Sequence, residues 1–291
     1  MSGAGSRWLL GIVPLILLAG LLWVIVQSDI TETVRGDAPP VEDVVFDRLR
    51  LDDDGIEVTA RSPHFDPKDG VDAARRAADA VRSHGVEVVA YGSYLGRRPA
   101  QAEEARHEVL LAAALGAPRI RVWAEATGDD PEDMRACTEV LRAACDAAAK
   151  RGIDVVVERH RGSFADTYAR IASLFAGVDR PNVGLNYQPL DFLPAEAAAA
   201  QADDARELAP WIRYVHLKNY TRHHDEGGPL MLGGSLEDGA LDYRSILPAI
   251  VSSGYDGPLT IEFLAFDERP VEEKLAADVA FVRDVLGKAH G

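Results

Sequence analysis

Four residues have the types and spacing to do chemistry together: Glu158, Gln188, His216 and Glu262. Each lies at or near the end of a short strand-forming run: Ile153–His160 (IDVVVERH), Asn182–Gln188 (NVGLNYQ), Ile212–Lys218 (IRYVHLK) and Pro258–Leu264 (PLTIEFL). Two carboxylates, an imidazole and an amide carbonyl form a hard, oxygen-rich donor set. It suits a divalent metal, Mn²⁺ or Mg²⁺ before Zn²⁺ or Co²⁺. Such a cation offsets the repulsion between two glutamates that face one cavity. It can also grip two oxygens of a hydroxy-ketone and polarise the carbonyl. One glutamate then removes the proton from the carbon next to the metal-bound carbonyl, giving an enediolate, and the other returns it. That is isomerisation or epimerisation with Glu158 and Glu262 as the catalytic pair and no organic cofactor.

Each residue also has a plainer reading. A glutamate ending an apolar strand can be a core carboxylate tied to a lysine, because carboxylates are seldom buried alone. A lone strand histidine is more often a satisfied core residue than a ligand, and Gln188 can be a polar turn residue before Pro189. The repetition of the pattern on four successive strands favours the metal. Side chains alternate along a strand, so His160 shares a face with Glu158, and Lys218 with His216. His160, Lys218, Asp191 and Trp123 are the expected substrate contacts, and Tyr91 and Glu57 fall near strand ends as pocket walls.

Regular alternation of elements must position these residues. Apolar runs at Gly55–Ala60, Val86–Tyr91, Arg119–Trp123, Ile153–Glu158, Val183–Tyr187, Ile212–Leu217 and Leu259–Phe263 are each followed by a segment of helical periodicity. Continuous β-branched strands interleaved with amphipathic helices predict a parallel sheet covered by helices. With 291 residues, the fold class expected is α/β, a single (β/α)8 TIM barrel with its site at the carboxyl ends of the strands.

The seven visible units leave one to find upstream. Pro40–Leu51 reads as its helix, and its strand has to come from the apolar N-terminal segment, for instance Leu10–Leu17 or Leu22–Gln27. That segment has a second reading. Trp8–Val26 is uncharged and mostly apolar, with Arg7 before it and Asp29 after it, which fits a transmembrane helix. The domain division expected is residues 1–35 as an apolar segment, either membrane anchor or first barrel strand, and 36–291 as the barrel. The localisation expected is membrane-anchored through residues 8–26, with cytoplasmic as the alternative.

Charge narrows the partners. The chain has 47 Asp+Glu against 31 Lys+Arg, a formal net charge of −16, and no basic run. Nucleic acid is therefore excluded as a default partner. A small sugar or cyclitol is the expected one, with membrane association through residues 8–26 and self-association into a homo-oligomer both left open. Cys137 and Cys145 sit about 12 Å apart along one helix, too far to bridge.

The order of motifs GIEV (Gly55–Val58), VEVVAYGSYLG (Val86–Gly96), VVVERH, VGLNYQP, YVHLKNY and GYDGPLTIEFL resembles the xylose isomerase-like TIM-barrel superfamily. It is most similar to the sugar phosphate isomerase/epimerase group, over roughly residues 40–289. The resemblance implies that Glu158 and Glu262 are the paired metal-binding, proton-transferring glutamates. It also implies that His216, Lys218 and Asn219 fill an H-x-K-[DN] motif. Many members have D-x-x-H where this chain has Gln188 and Asp191, so one negative ligand is missing. The activity implied is a metal-dependent sugar, sugar phosphate or cyclitol isomerase/epimerase. The alternatives are a lyase of the inosose or keto-acid dehydratase type and a catalytically silent sugar-binding barrel.

Overall fold

A strand rich in Val, Ile and Tyr buries both faces only if it has neighbours on each side and helices outside, and this chain supplies both. The computed structural model describes residues 22–24, 55–61, 64–125, 131–190, 193–222 and 230–289. In chain order these form β1 (Leu22–Val24), β2 (Gly55–Thr59), α1 (Gly70–Ser83), β3 (Glu87–Gly92), α2 (Ala102–Leu115), β4 (Arg119–Val122), α3 (Pro131–Ala149) and β5 (Asp154–Glu158). They continue with α4 (Tyr168–Val178), β6 (Val183–Tyr187), α5 (Gln201–Leu208), β7 (Ile212–Leu217), β8 (Asn219–Arg222), β9 (Leu230–Gly234), α6 (Tyr243–Ser252), β10 (Leu259–Ile261) and α7 (Val271–Ala289).

Strands β1 to β7 and β10 close into a barrel in which every ladder is parallel. The expected TIM barrel is therefore the observed fold. Helix spacing explains the outer layer: in α1 the buried residues are Ala73, Ala74, Ala77, Ala78 and Val81, one stripe at helical period. Gly116, with φ of 74°, turns the chain out of α2 in the left-handed region that a Cβ disfavours. The main apolar core lies between barrel and helices, while Ala90, Val156 and Tyr214 form a small separate cluster.

The closure point corrects the membrane reading. Leu22–Val24, the described part of the apolar segment, is a barrel strand: Leu22, Trp23 and Val24 pair with Leu259, Thr260 and Ile261, and Val24 pairs with Ile56 on the other side. Among the described residues no helix is long and apolar enough to cross a membrane. Anchoring through residues 8–26, the transmembrane helix and the membrane localisation built on it are all overturned. The physical reason is that a barrel missing one strand leaves two unpaired edges, and a short apolar run satisfies both at once. The helix expected at Pro40–Leu51 lies outside the described residues.

The loop after β7 also differs from expectation. Sequence showed only a Gly-rich stretch there, but β8 and β9 pair antiparallel as a hairpin. Asn219 anchors its base, donating to the Leu236 and Leu241 carbonyls and accepting from the Leu241 amide. The Leu236 amide donates to Asp278 on α7 (2.9 Å), a buried carboxyl that burial pushes up to about 6. Both cysteines are free thiols, and burial pushes each up to about 12, so neither is a ready nucleophile.

Candidate active site

The carboxyl end of the barrel gathers most of the residues that the sequence singled out. Glu158 ends β5, His216 lies near the end of β7, and Glu262 follows β10, its amide donating to the Leu217 carbonyl. Gln188 and Lys218 follow β6 and β7. All five are at most 3% exposed, which for charged groups requires partners.

Two residues on other strands of the barrel supply many of these partners. Glu57 on β2 and Arg121 on β4 are also buried. Arg121 Nε donates to Glu57 Oε1 (2.8 Å) and its Nη1 to Glu158 Oε2 (2.5 Å). His216 Nε2 donates to Glu57 Oε2 (3.0 Å). Burial alone would raise the Glu57 carboxyl, but the Arg121 guanidinium and then His216 hold it down at about 2. Room for this network comes from Gly92 on β3: a Cβ there would stand 2.0 Å from Glu57 Oε1 and 2.6 Å from Arg121 Nη2.

The network fixes His216. A carboxylate only accepts, so Nε2 carries a proton toward Glu57, and Nδ1 is the ring nitrogen left for another partner. That Nδ1 has no hydrogen-bond partner among the described residues and lies 3.8 Å from Glu262 Oε2. Two ligands each about 2.1 Å from one ion are roughly 3 to 4.2 Å apart, so this pair fits a shared divalent cation. Gln188 Oε1 is likewise buried with no partner among the described residues. Glu158 fits less well. Its Oε2 is held by Arg121, and its Oε1 accepts from Gln188 Nε2 (3.0 Å). Among the described residues no three His, Cys, Asp or Glu side chains are gathered in metal-holding geometry. His216 Nδ1 and the Gln188 carbonyl are thus buried atoms with no partner among the described residues, Glu262 stands 3.8 Å from the first, and Glu158 is turned toward Arg121.

The remaining expected residues are placed as follows. Lys218 Nζ lies 3.5 Å from Glu262 Oε2. His160 stands edge-on to Trp123, ring centroids 5.2 Å apart, and its Nδ1 is 3.9 Å from Glu125. Asp191 lies outside the described residues. Tyr91 donates to Glu108 on α2 (2.6 Å).

Sequence reasoning missed Arg121 and Asn186, and it gave Glu57 only a wall's role. The signal for Arg121 was available. An arginine alternating within RIRVW invites the same question as a glutamate ending VVVE, namely what pairs it in the interior. Asn186, paired in register with Glu158, is buried with both amide atoms unpartnered among the described residues.

Comparison with known proteins follows the same lines. Residues 50–285 match the family of the xylose isomerase-like TIM barrel. The chain belongs to this family. A 3-dehydroshikimate dehydratase of Bacillus anthracis is 29% identical over 121 residues, 40% of this chain and 42% of that enzyme's length. Among solved structures, a xylose isomerase-like TIM barrel protein from Mycobacterium smegmatis in complex with magnesium superposes with a TM-score of 0.63 at 17% identity, covering 86% of this chain and 88% of its own. A 3-keto-D-glucoside 4-epimerase from E. coli gives 0.57 at 18% identity, covering 75% and 87%. The structural likenesses establish the fold. The proteins it resembles thus include one called an epimerase and one called a dehydratase.

Proposed function

We propose that this barrel removes a proton from the carbon beside the carbonyl of a small polyhydroxylated ketone, with Glu262 as the group that carries the proton. The observation that supports this reading most is the buried cluster around Glu262 Oε2, with Lys218 Nζ at 3.5 Å and His216 Nδ1 at 3.8 Å. A divalent cation of the Mg²⁺ or Mn²⁺ type, held by His216, Glu262 and the Gln188 carbonyl with Glu158 beside them, would supply Lewis acidity toward the ketone oxygen. Lys218 sets a fixed positive charge where negative charge develops as the proton leaves. Glu57 keeps the His216 ring in one tautomer and orientation. Trp123 and His160 wall the mouth, and a sugar ring is the natural ligand for such walls.

Glu158 favours one reaction class over another. Epimerisation at a single carbon needs a second base on the opposite face, and both Glu158 oxygens already accept from fixed donors, Arg121 and Gln188. A single base suits isomerisation, or dehydration in which the abstracted proton leaves with the departing hydroxyl as water. The similarity to a 3-dehydroshikimate dehydratase supports the lyase outcome.

The test is solvent exchange. The full chain, loaded with Mn²⁺ or Mg²⁺, is incubated in D₂O with a panel of keto-sugars, inosose and 3-dehydroshikimate. Deuterium incorporation or loss of water is expected for at least one, falling about 10²- to 10⁴-fold in Glu262→Gln. Exchange that survives this substitution removes Glu262 from its role. No exchange and no water loss across the panel, with binding retained, would instead support a silent sugar-binding barrel.

A further inference from the structure

Gln188 is an amide set among carboxylates, and an amide has two unlike ends. Its Nε2 donates to Glu158 Oε1 (3.0 Å) and to the Arg159 carbonyl (2.8 Å), both of which only accept. These two bonds decide which end is nitrogen and which is oxygen, a choice that the shape of an amide leaves open. Strand β6 lies between β5 and β7. With Nε2 tied to the side of β5, Oε1 is turned away from it, and the neighbour on the other side is β7, which carries His216. Gln188 Oε1 is buried with no partner among the described residues.

His216 is held in the same manner. Its Nε2 donates to Glu57 Oε2 (3.0 Å), and its Nδ1 is buried with no hydrogen-bond partner among the described residues. Each of the two side chains is thus bonded to a carboxylate through one nitrogen and keeps one further atom for another partner. The two carboxylates share one cation, because Arg121 Nε donates to Glu57 Oε1 (2.8 Å) and Arg121 Nη1 to Glu158 Oε2 (2.5 Å). All three charged side chains are buried, where such charge-assisted bonds are strong. To reach a cation, Glu158 would have to leave a buried guanidinium or an amide N–H. A carboxylate at position 188 would have no N–H to place. Glutamine does, and Glu158 is the side chain that receives it.

We infer that Glu158 is a positioning residue and not a metal ligand: held by Arg121, it fixes the Gln188 amide so that Oε1, together with His216 Nδ1, is presented to a divalent cation. This rests on the cation-holding part of the function proposed above. It concerns how the cation is held, and the proton transfer stands or falls separately.

The test is a double-mutant cycle read by calorimetric Mn²⁺ titration of the full chain, with no substrate present. Glu158→Gln sets a second amide between Arg121 and Gln188, and Mn²⁺ affinity should fall about 10- to 100-fold. Gln188→Leu has similar bulk and no N–H to place. In that background the same Glu158→Gln change should alter affinity by less than about 3-fold, because the two residues act through one bond. A fall of equal size in both backgrounds makes Glu158 a ligand and overturns the inference. Native-level affinity in Glu158→Gln alone also overturns it, and so does a native chain that binds no Mn²⁺.

A second measurement needs no substitution in the buried network. The Gln188 side-chain N–H signals of a ¹⁵N-labelled sample, assigned by through-bond spectra, are followed as Mg²⁺ is added to saturation. Their slow exchange with solvent should persist, since Glu158 stays in place. Faster exchange in the Mg²⁺-bound chain, as when Glu158 is drawn to the ion, overturns the inference. Failure of the proton-transfer reading appears in the D₂O experiment, and a chain that holds Mn²⁺ in this way without exchanging protons leaves the role of Glu158 intact.

Discussion

The two halves of the barrel mouth are built on opposite terms. On the side of β2, β4 and β5, Glu57, Arg121 and Glu158 close on one another, with both carboxylates bonded to one guanidinium. On the side of β6 and β7, Asn186, Gln188 Oε1 and His216 Nδ1 are buried with no hydrogen-bond partner among the described residues. Each orphaned group costs about 1–3 kcal/mol in a dry interior. A fold tolerates several together where something else is meant to meet them. The closed half is scaffold that holds His216 and Glu158 in place, and the open half is where the ligand proposed above would bind.

Breaking the scaffold should have the largest effect. Arg121→Leu leaves Glu57 and Glu158 as buried carboxylates without their cation and should cost about 3–5 kcal/mol in urea unfolding. A loss under about 1 kcal/mol would mean that the halves do not differ as described. Glu262→Gln, which removes a buried charge 3.5 Å from Lys218, should cost less stability than Arg121→Leu while removing proton exchange. Glu57→Gln is next in size. It releases the His216 tautomer, and Mn²⁺ affinity measured by calorimetry should fall about 10- to 100-fold; unchanged affinity would separate Glu57 from the open half.

Acid should sharpen the contrast further. The Glu57 carboxyl is held at about 2 against an ordinary 4.5, so its contribution to stability is complete above about 4.5 and lost as pH falls toward 2. Asp278, pushed up to about 6 from 3.8, has the opposite sign. The folded protein binds its proton more tightly than the unfolded chain, so this group favours folding below 3.8 and loses that contribution as pH rises through 6. Melting curves from pH 7 to 5 should therefore lose part of their upward trend in Asp278→Asn, an effect on the order of 1–3 kcal/mol. The smallest change expected is at the exposed Arg75–Asp72 pair on α1, where Asp72→Asn should move stability by less than about 0.5 kcal/mol.

The open half was more legible in the sequence than the closed one. Gln188, His216 and Glu262 fall at matching places on successive strands, and strand spacing is local information. Arg121 and Glu57 escaped because the meaning of a buried charge lies in its partner. Those partners are 64 and 37 residues from Arg121 along the chain. The N-terminal segment escaped for a related reason. Hydropathy gives the same signal for a membrane helix and for a strand buried on both faces, and only the open edges of β2 and β10 distinguish them.

By itself, then, the sequence determined the alternation of strands and helices, the barrel class and the strand-end positions of the ligand-type residues. These follow from periods of 2 and 3.6 that any short window carries. The tertiary structure decided that Leu22–Val24 closes the barrel, that Arg121 binds Glu57 and Glu158, and that His216 Nδ1 is left facing Glu262. Closure and charge pairing are long-range events, set by which strands become neighbours, and no local pattern encodes that choice.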